Sequence, residues 1–418
     1  MVLGVVFGTF FMAFHSVQGP RMGIPQLLQS RPQFGYYGAL IPQAIGVFLY
    51  IGFNVFNTII GGQALATVTH LNSQLSIVIM AVVGLILTLG GYDWMHFVNK
   101  WGSYIFLVVF GLFTIGAIFT VKLPTAQQGV GDFKLTPFLV VLAVVAAYQV
   151  SQAPYVSDYS RYLKREETAR ATFLWSYFGS AIGTLWMVAL GALLLAGNPS
   201  AQTVDAVAAG GNAIFGGFGT FALAIGLIGL VSVIALNMYS GSLAAIAAFD
   251  TVRPTKPSMA LRVSGILFIG VLGTVGSLVL PQNFLADYSN FLTILLYFLI
   301  PWTAINLVDF YFVRRGEYAI AEIFNPSGIY HRWNWRGLVC YVVGFAVMIP
   351  FWSTAVYTGP VANAIGGADL SVFVGLPVSA VLYLVLSRDV NVSAERKVAA
   401  EEAVALELAA ETAGSAAS

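Results

Sequence analysis

The sequence predicts an all-α integral membrane protein with eleven membrane spans. Of its 418 residues, 58% are hydrophobic and only 9% are charged, whereas a soluble domain carries about a quarter charged residues. Its mean hydropathy is +0.83, and its apolar runs lack the alternation of a membrane β-barrel, so the spans are predicted to be helical. The composition excludes a soluble globular protein, a nucleic-acid binder and a disordered chain.

A hydrocarbon core about 30 Å thick requires roughly 20 apolar residues per helix. The second and seventh of the runs that meet this requirement are longer than one span, which predicts tilt, a broken helix or an extension beyond the bilayer. The eleven predicted spans cover about 1–18, 36–66, 74–92, 103–121, 136–157, 171–197, 214–249, 263–283, 285–308, 337–355 and 369–387.

The basic residues fall on alternate connections between these spans. Cytoplasmic loops retain Lys and Arg, so these connections and the C-terminus are predicted to be cytoplasmic, and the N-terminus external. Only Lys122 and Lys134 lie on the opposite side. The cytoplasmic set comprises Arg21, Arg31, Lys100, Arg161, Lys164, Arg165, Arg170, Arg253, Lys256, Arg262, Arg314, Arg315, Arg332, Arg336, Arg388, Arg396 and Lys397.

Residues 1–387 are predicted to form a single transmembrane domain, and residues 388–418 a cytoplasmic tail. The tail carries five glutamates after Arg388, and we assign it no chemistry. The only cysteine, Cys340, excludes an intrachain disulfide framework. The first apolar run begins directly after Met1, without a polar segment before it. We therefore expect that a further helix is missing upstream. The tail glutamates are Glu395, Glu401, Glu402, Glu407 and Glu411.

Ionisable side chains are nearly absent from the predicted spans. Asp158 and Asp309 fall at cytoplasmic ends, Asp287 falls near an external end, and His15 is the one candidate within an apolar run. A relay of buried carboxylates is therefore not expected, and neither is a voltage sensor. The molecule that crosses should be close to neutral.

The spans do contain amide, hydroxyl and aromatic side chains at helical spacing. Phe53 and Asn57 are four residues apart and share a helix face. An amide offers both a donor and an acceptor, and an aromatic face can stack on a planar ring, so the set predicts a pocket for a flat, uncharged molecule. The alternative is that such groups hold the helices together at about 0.6 kcal/mol each. The other members are Tyr148, Gln149, Gln152, Asn237 and Ser240.

Pro154 interrupts the fifth run just after its polar cluster. Transporters place their sites where helices break near the midplane, so this position predicts a broken helix beside the pocket. The alternative is a simple kink, which membrane helices tolerate.

Four stretches carry distinctive motifs: residues 19–35, which begin Gly-Pro-Arg-Met-Gly; residues 158–163, Asp-Tyr-Ser-Arg-Tyr-Leu; residues 237–240, Asn-Met-Tyr-Ser; and Pro301-Trp302 followed by Asp309 and by Arg-Arg-Gly-Glu-Tyr at 314–318. In order and spacing, up to about residue 387, they resemble the nucleobase:cation symporter family, which includes purine–cytosine permeases and their allantoin, hydantoin and thiamine relatives.

The resemblance implies two five-helix inverted repeats followed by two extra helices, twelve in all. The eleven spans match the second to the twelfth, so residues 1–121 would form an incomplete first repeat, 136–318 the second, and 337–387 the extra helices. The first helix of the family supplies ligands to the cation and the substrate. We therefore expect impaired or absent coupled transport if the chain is complete as written.

The same resemblance implies substrate-binding residues. Phe53 and Asn57 match a stacking aromatic residue and an amide one turn later. Gln149 matches a second stacking position, where Tyr148 beside it would stack instead or Gln149 would read a base edge; Gln152 follows one turn on. Asn237 matches the substrate amide of the family's eighth helix, and Ser240 lies one turn beyond it.

The resemblance also bears on the coupling ion. Sodium-coupled relatives use two adjacent hydroxyls, for which this chain has Val231 and Ser232. Ser232 and Ile228 are the candidate cation residues, but the lost hydroxyl favours H⁺ over Na⁺. His15 titrates in a suitable range, although packing is its more common role. No cofactor and no metal is expected.

The function that these observations predict is a secondary active transporter of a small neutral heterocycle in the cell membrane, with no nucleic-acid partner. The alternatives are a truncated, transport-inactive or ligand-sensing paralogue and, much less favoured, a membrane enzyme or a channel. The sequence does not indicate which heterocycle is carried or the oligomeric state.

Overall fold

The computed structural model describes residues 1–123, 133–198, 201, 203–280, 284–402 and 404. Within this part of the chain every regular secondary-structure element is a helix, apart from one isolated β-bridge between Ser353 and Thr358. The helices are α1 Val2–Ser16, α2 Gln18–Met22, α3 Arg31–Phe34, α4 Leu40–Thr69, α5 Ser73–Leu89, α6 Tyr92–Thr120, α7 Leu135–Val150, α8 Ala153–Ser160, α9 Ala169–Gly197, α10 Thr203–Asn212, α11 Phe218–Val252, α12 Met259–Val279, α13 Phe284–Val308, α14 Trp335–Met348, α15 Pro360–Ala364 and α16 Ser371–Leu386.

Among the described residues, eight helical segments are long and apolar enough to cross a membrane. Three shorter apolar helices lie at the positions of the third, tenth and eleventh predicted spans. The all-α membrane architecture is thus confirmed, whereas the count of eleven spans stays a prediction. The eight segments are Val2–Met22, Leu40–Thr69, Tyr92–Thr120, Leu135–Ser160, Ala169–Gly197, Phe218–Val252, Met259–Val279 and Ala286–Val313, and the shorter ones are Ser73–Leu89, Trp335–Phe351 and Ser371–Leu386.

The outer surface supports this assignment. Large apolar side chains point away from the protein along α6, α9 and α12, including Phe119, which is 82% exposed, and Trp175, which is 81% exposed. Soluble proteins rarely expose contiguous apolar patches of this kind. These helix faces therefore contact lipid.

The long second and seventh runs are unbroken helices. α4 extends over 30 residues and α11 over 35, so extension rather than a break explains their length. The predicted run at 214–249 begins later, at Phe218, because the separate helix α10 and a glycine turn precede it. The end of the predicted run at 263–283 lies outside the described residues.

The fifth run, by contrast, is broken as Pro154 predicts. α7 ends at Val150 and α8 begins at Ala153, with a turn at Ser151 and Gln152 between them. Pro154 occupies the first turn of α8, where its missing N–H leaves no intrahelical hydrogen bond unmade. A helix that would otherwise run through the membrane is thus divided beside the polar cluster.

The first residues of several helices are fixed by a side chain that caps the helix. The side-chain oxygen of the residue before each of these helices accepts hydrogen bonds from backbone N–H groups that the first turn leaves unpaired. The capping residues are Asn72 for α5, Thr168 for α9, Ser258 for α12 and Asn334 for α14.

The helices pack into two groups. In the first, α1 lies against α7, α8 and α9. In the second, α4, α5, α11 and α12 contact one another, with α4 and α11 packed along each other's length. α13 touches both groups and also carries α14 and α16. The division into two inverted repeats with boundaries at 1–121 and 136–318 stays a prediction.

A buried carboxylate joins the last helices to the loops at the arginine-rich end. Asp309 is fully buried and accepts hydrogen bonds from Gln33 Nε2 at 2.7 Å, the Tyr318 hydroxyl at 2.7 Å and the Tyr383 hydroxyl at 2.9 Å. It also pairs with the Arg314 guanidinium. We call these five residues the Asp309 cluster.

The C-terminal segment adds a second carboxylate to this cluster. Residues 392–402 form a helix, and Glu395 pairs with Arg314 through Nε at 2.7 Å and Nη2 at 3.0 Å. Burial alone would lower the pKa of Arg314, but Asp309 and then Glu395 raise it well above its ordinary value. The guanidinium therefore stays charged, and it holds the tail against the membrane domain. Glu407 and Glu411 of the predicted tail lie outside the described residues.

The contact between α1 and α7 depends on glycine. A Cβ atom at Gly8 would lie 2.6 Å from the carbonyl oxygen of Ala146 and 2.7 Å from Cβ of Gln149. We expect Gly8→Ala to destabilise the protein by about 1–3 kcal/mol through overpacking, measured as unfolding in detergent. Gly191→Ala is the matched control, because a Cβ there meets no atom within 4 Å. Equal stability of the two variants would contradict this account.

Removal of the Asp309 charge should be costly. Asp309→Asn removes one of the two carboxylates that pair with the buried guanidinium of Arg314. Breaking a buried ion pair costs about 3–5 kcal/mol. We expect a correspondingly lower stability in the same unfolding assay. The control is Asp389→Asn. Its carboxylate is exposed and pairs with Arg336 at an Nη2–Oδ2 distance of 2.6 Å, so its loss should leave stability unchanged. A similar loss in both variants would show that burial does not decide the effect.

Candidate substrate-binding site

A cavity of about 370 Å³ lies between the two helix groups, beside the break between α7 and α8. Its volume is within the range of roughly 300–1,000 Å³ typical of small-molecule sites. The described residues that line it include no Asp, Glu, Lys, Arg or His. The lining residues are Met12, Phe53, Asn57, Tyr148, Gln152, Tyr155, Val156, Tyr159, Ser180, Val233, Leu236, Asn237 and Tyr288.

The helix break brings the end of one helix and the start of the next to the same wall. Tyr148 comes from the last turn of α7, Gln152 from the turn, and Tyr155 from the first turn of α8. The Pro154 carbonyl accepts a hydrogen bond from the Tyr50 hydroxyl at 2.9 Å. The broken segment is thereby fastened to α4, which supplies the opposite wall.

Asn237 presents an unpaired donor at the cavity. Its Oδ1 accepts a hydrogen bond from the Tyr155 hydroxyl at 2.6 Å, while its Nδ2 is buried without a partner. The residue is only 1% exposed, and a buried polar group without a partner costs roughly 1–3 kcal/mol. A ligand with an acceptor at this point would remove that cost.

Aromatic rings surround the rest of the cavity. The ring centroid of Phe53 lies 6.1 Å from that of Tyr155 and 6.2 Å from that of Tyr288, in edge-to-face geometry. Aromatic rings such as these can stack on a planar ligand. The cavity therefore combines flat apolar walls with a small number of neutral polar groups.

The structure brings together five of the seven residues that the sequence predicts for substrate binding. Phe53, Asn57, Tyr148, Gln152 and Asn237 all line the cavity. They come from α4, the α7–α8 break and α11, which are the three helices that both the polar pattern and the family resemblance indicate. Their role as substrate ligands stays a prediction.

The other two predicted residues, Gln149 and Ser240, do not line the cavity but pack against residues that do. The Gln149 amide donates to Thr9 Oγ1 at 2.6 Å and accepts from Ser180 Oγ at 3.3 Å. Its side chain thus joins α7 to α1 and α9, which explains why it does not reach the cavity. The Ser240 hydroxyl lies 3.0 Å from the hydroxyl of Tyr159, which itself lines the cavity.

The two candidate cation residues line a neighbouring cavity of about 670 Å³ between α6, α9 and α11. The Ser232 hydroxyl is buried without a partner, and Ile228 is an apolar neighbour one turn away. Val231 packs into the apolar interface instead. The cation role of Ser232 and Ile228 stays a prediction.

His15 lies away from both cavities within the described structure. Its ring stacks on Trp302 with centroids 4.8 Å apart, and its Nδ1 lies 3.2 Å from Nε2 of Gln26. These contacts make it part of the packing between α1, α13 and the loop that follows α2.

Sequence reasoning missed four polar or aromatic residues of the cavity. Tyr155 and Tyr159 follow Gln152 at intervals of three and four, which places all three on one helix face, so this stripe was a usable signal. Ser180 follows Ser176 and Tyr177 in α9, and Tyr288 lies between Asp287 and Ser289 in α13, so no local pattern singles out either of them. Their place follows only from the packing of the helices.

Comparisons with known proteins agree with this architecture. A family model for permeases of cytosine/purines, uracil, thiamine and allantoin matches residues 1–375. The chain is 38% identical over 391 residues to Bacillus subtilis YxlA, whose name assigns it provisionally to the purine-cytosine permeases, covering 93% of this chain and 84% of that protein. It is 26% identical over 410 residues to the purine-cytosine permease fcyB of Emericella nidulans, covering 92% and 76%.

The fold is similar to that of Mhp1, a nucleobase-cation-symport-1 family transporter, in its closed conformation with bromovinylhydantoin bound. The TM-score is 0.74 at 19% identity, and the alignment covers 95% of this chain and 88% of the other. At this identity the likeness shows the transporter fold. Family members are transporters and not enzymes. Its sequence and fold together show that this multi-pass membrane protein belongs to the family of permeases for cytosine/purines, uracil, thiamine and allantoin.

Proposed function

We propose that the protein is a cation-coupled symporter of a small neutral heterocycle, such as cytosine, a purine or an allantoin-like compound. The observation that supports this most directly is the uncharged, aromatic-walled cavity with the unpaired Asn237 Nδ2 at its side. A charged substrate would enter a low-dielectric site without a counter-charge among the described lining residues, at a cost that neutral rings avoid.

The polar groups define the edge of the molecule that fits. Asn237 offers a donor, so the substrate presents a carbonyl oxygen or an unprotonated ring nitrogen to it. Asn57 and Gln152 each offer both a donor and an acceptor, which suits the adjacent N–H and C=O groups of a lactam or a nucleobase. Phe53 and Tyr148 supply the apolar faces.

Transport is proposed to proceed by alternating access, with one helix group rocking against the other around the cavity. No covalent step on the substrate is involved. The coupling cation acts by changing the relative stability of the two states, as any linked ligand must. H⁺ is favoured over Na⁺, because Val231 stands at one of the two hydroxyl positions of sodium-coupled relatives. The distribution of Lys and Arg supports a cytoplasmic C-terminus in the cell membrane.

The Asn237 amide can be tested by removal. We expect Asn237→Ala to lower substrate affinity by more than tenfold, or about 1.4 kcal/mol, because the unpaired donor at the acceptor edge is lost. Competition uptake into proteoliposomes with cytosine, uracil, adenine, allantoin and thiamine measures this effect. Asn363→Ala, at an exposed position on the short helix α15, is the control and should leave uptake unchanged. Wild-type protein that binds none of the five compounds would contradict the proposed substrate class.

The Tyr155 hydroxyl can be tested by its effect on selectivity. In the Tyr155→Phe variant the Asn237 amide is free to rotate and present its oxygen, so we expect the preference for substrates with an acceptor at that edge to fall by about tenfold. The measurement is the ratio of affinities for cytosine and for an analogue with a donor in place of that acceptor. Tyr104→Phe, on the outer face of α6, is the control. An unchanged ratio would show that Tyr155 does not orient the amide.

A further inference from the structure

Asp158 is a buried carboxylate whose charge the described structure leaves uncompensated. It lies on α8 and is 2% exposed. Oδ1 accepts the backbone N–H of Gln26 at 3.0 Å, and Oδ2 lies 3.4 Å from the Tyr50 hydroxyl. Both of these partners are neutral.

The neighbouring cation does not pair with it. Arg161 directs its Nε to the backbone oxygen of Asp158 at 3.2 Å and its Nη2 to the hydroxyls of Tyr162 and Tyr239. No described residue forms a salt bridge with the Asp158 carboxylate. An ionised carboxylate in an apolar interior without a partner is expensive, and such a group takes up a proton instead.

The hydrogen-bond arrangement suits the protonated acid. The Tyr50 hydroxyl has one proton, and it lies closer to the Pro154 carbonyl, at 2.9 Å, than to Oδ2 of Asp158. With Asp158 ionised, this single proton cannot serve both acceptors. With Asp158 protonated, its O–H donates to the Tyr50 oxygen while Tyr50 continues to donate to Pro154, so every donor has an acceptor.

The position of Asp158 connects this proton to movement. α8 belongs to the first helix group, whereas Tyr50 on α4 belongs to the second. A displacement of one group against the other separates Asp158 from Tyr50. Tyr159, the next residue along α8, lines the cavity, and its hydroxyl lies 3.0 Å from that of Ser240 on α11.

We propose that Asp158 is the proton-binding site that couples the proton gradient to transport. This assignment rests on the proposed function. In the state open to the outside, one proton from water in the cavity binds the carboxylate. The neutral acid allows the two groups to close around the substrate, and the proton leaves to the cytoplasm when α8 and α4 separate there. Asp158 lies at the end of its predicted span, but the loop around Gln26 covers it and removes it from water.

Other titratable and charged groups around Asp158 have different environments. His15 on α1 reaches it only through Gln26, whose side chain meets His15 Nδ1 at 3.2 Å and whose backbone N–H bonds Asp158. The tyrosines that face it carry neutral hydroxyls. The full set is Tyr155 and Tyr159 from α8, Arg161 directly after α8, Tyr50 from α4, Tyr239 from α11 and His15 from α1.

The first test uses the purified full chain in proteoliposomes with an inward pH gradient and radiolabelled heterocycle from the panel above. For one proton per substrate, wild-type accumulation should rise by about tenfold per unit of pH gradient. Asp158→Asn, which mimics the protonated acid, should lose this response and keep exchange of labelled for unlabelled substrate. Asp158→Glu should restore part of the response. Asp93→Asn, at an exposed position on α6, should behave as wild type.

Gradient-driven accumulation by Asp158→Asn at the wild-type level would overturn the assignment. A second measurement separates this proposal from the substrate proposal. Infrared difference spectra of the protein in lipid, between acidic and mildly alkaline pH, should show a protonated carboxyl band in the wild type that is missing in Asp158→Asn and present in Asp93→Asn. A spectrum with the same band in all three would overturn the proton site, even if no heterocycle in the panel is transported.

Discussion

The structure depends on one constraint: inside a bilayer no water is available to a polar group, so each group must find its partner within the protein. Most of the chain satisfies this. Gln149 bonds to Thr9 and Ser180, and the Pro154 carbonyl bonds to Tyr50. Two incomplete cases bear on the proposed function. The Nδ2 of Asn237 lacks a partner beside the cavity, and the Asp158 carboxylate lacks a cation. The proposed substrate and the proposed proton would each supply the partner that is missing there.

Two buried carboxylates near the arginine-rich end illustrate the difference. Asp309 accepts three hydrogen bonds and pairs with Arg314, which Glu395 also contacts. Such a site is paired on every side in the described structure and fastens the helices around it. Asp158 has only neutral partners, the Gln26 backbone in the loop after α2 and Tyr50 on α4. The two residues have the same side chain and similar burial, and it is their neighbours that suit one to a structural role and the other to the proposed proton binding.

Much of this arrangement follows from sequence pattern, and the rest requires packing. Hydropathy locates the apolar helices because burial in lipid demands length, and the four-residue spacing of Phe53 and Asn57 places both on one wall. Periodicity does not say which face of a helix meets which neighbour. For that reason Gln149, predicted at the cavity, turns to α1 and α9, and Tyr288 enters from α13 without a local signal. The burial of Asp158 depends on a loop more than a hundred residues away in the chain.

The brevity of α8 has a mechanical consequence. This helix has eight residues, and it carries both Tyr155, which holds the Asn237 amide, and Asp158, one turn further on. A helix of this length is too short to bend appreciably, so a rotation at one end also moves the other end. If Asn237 binds the substrate and Asp158 binds the proton as proposed, one short piece of backbone after the turn at Ser151 and Gln152 responds to both, and long-range signalling between distant sites is unnecessary.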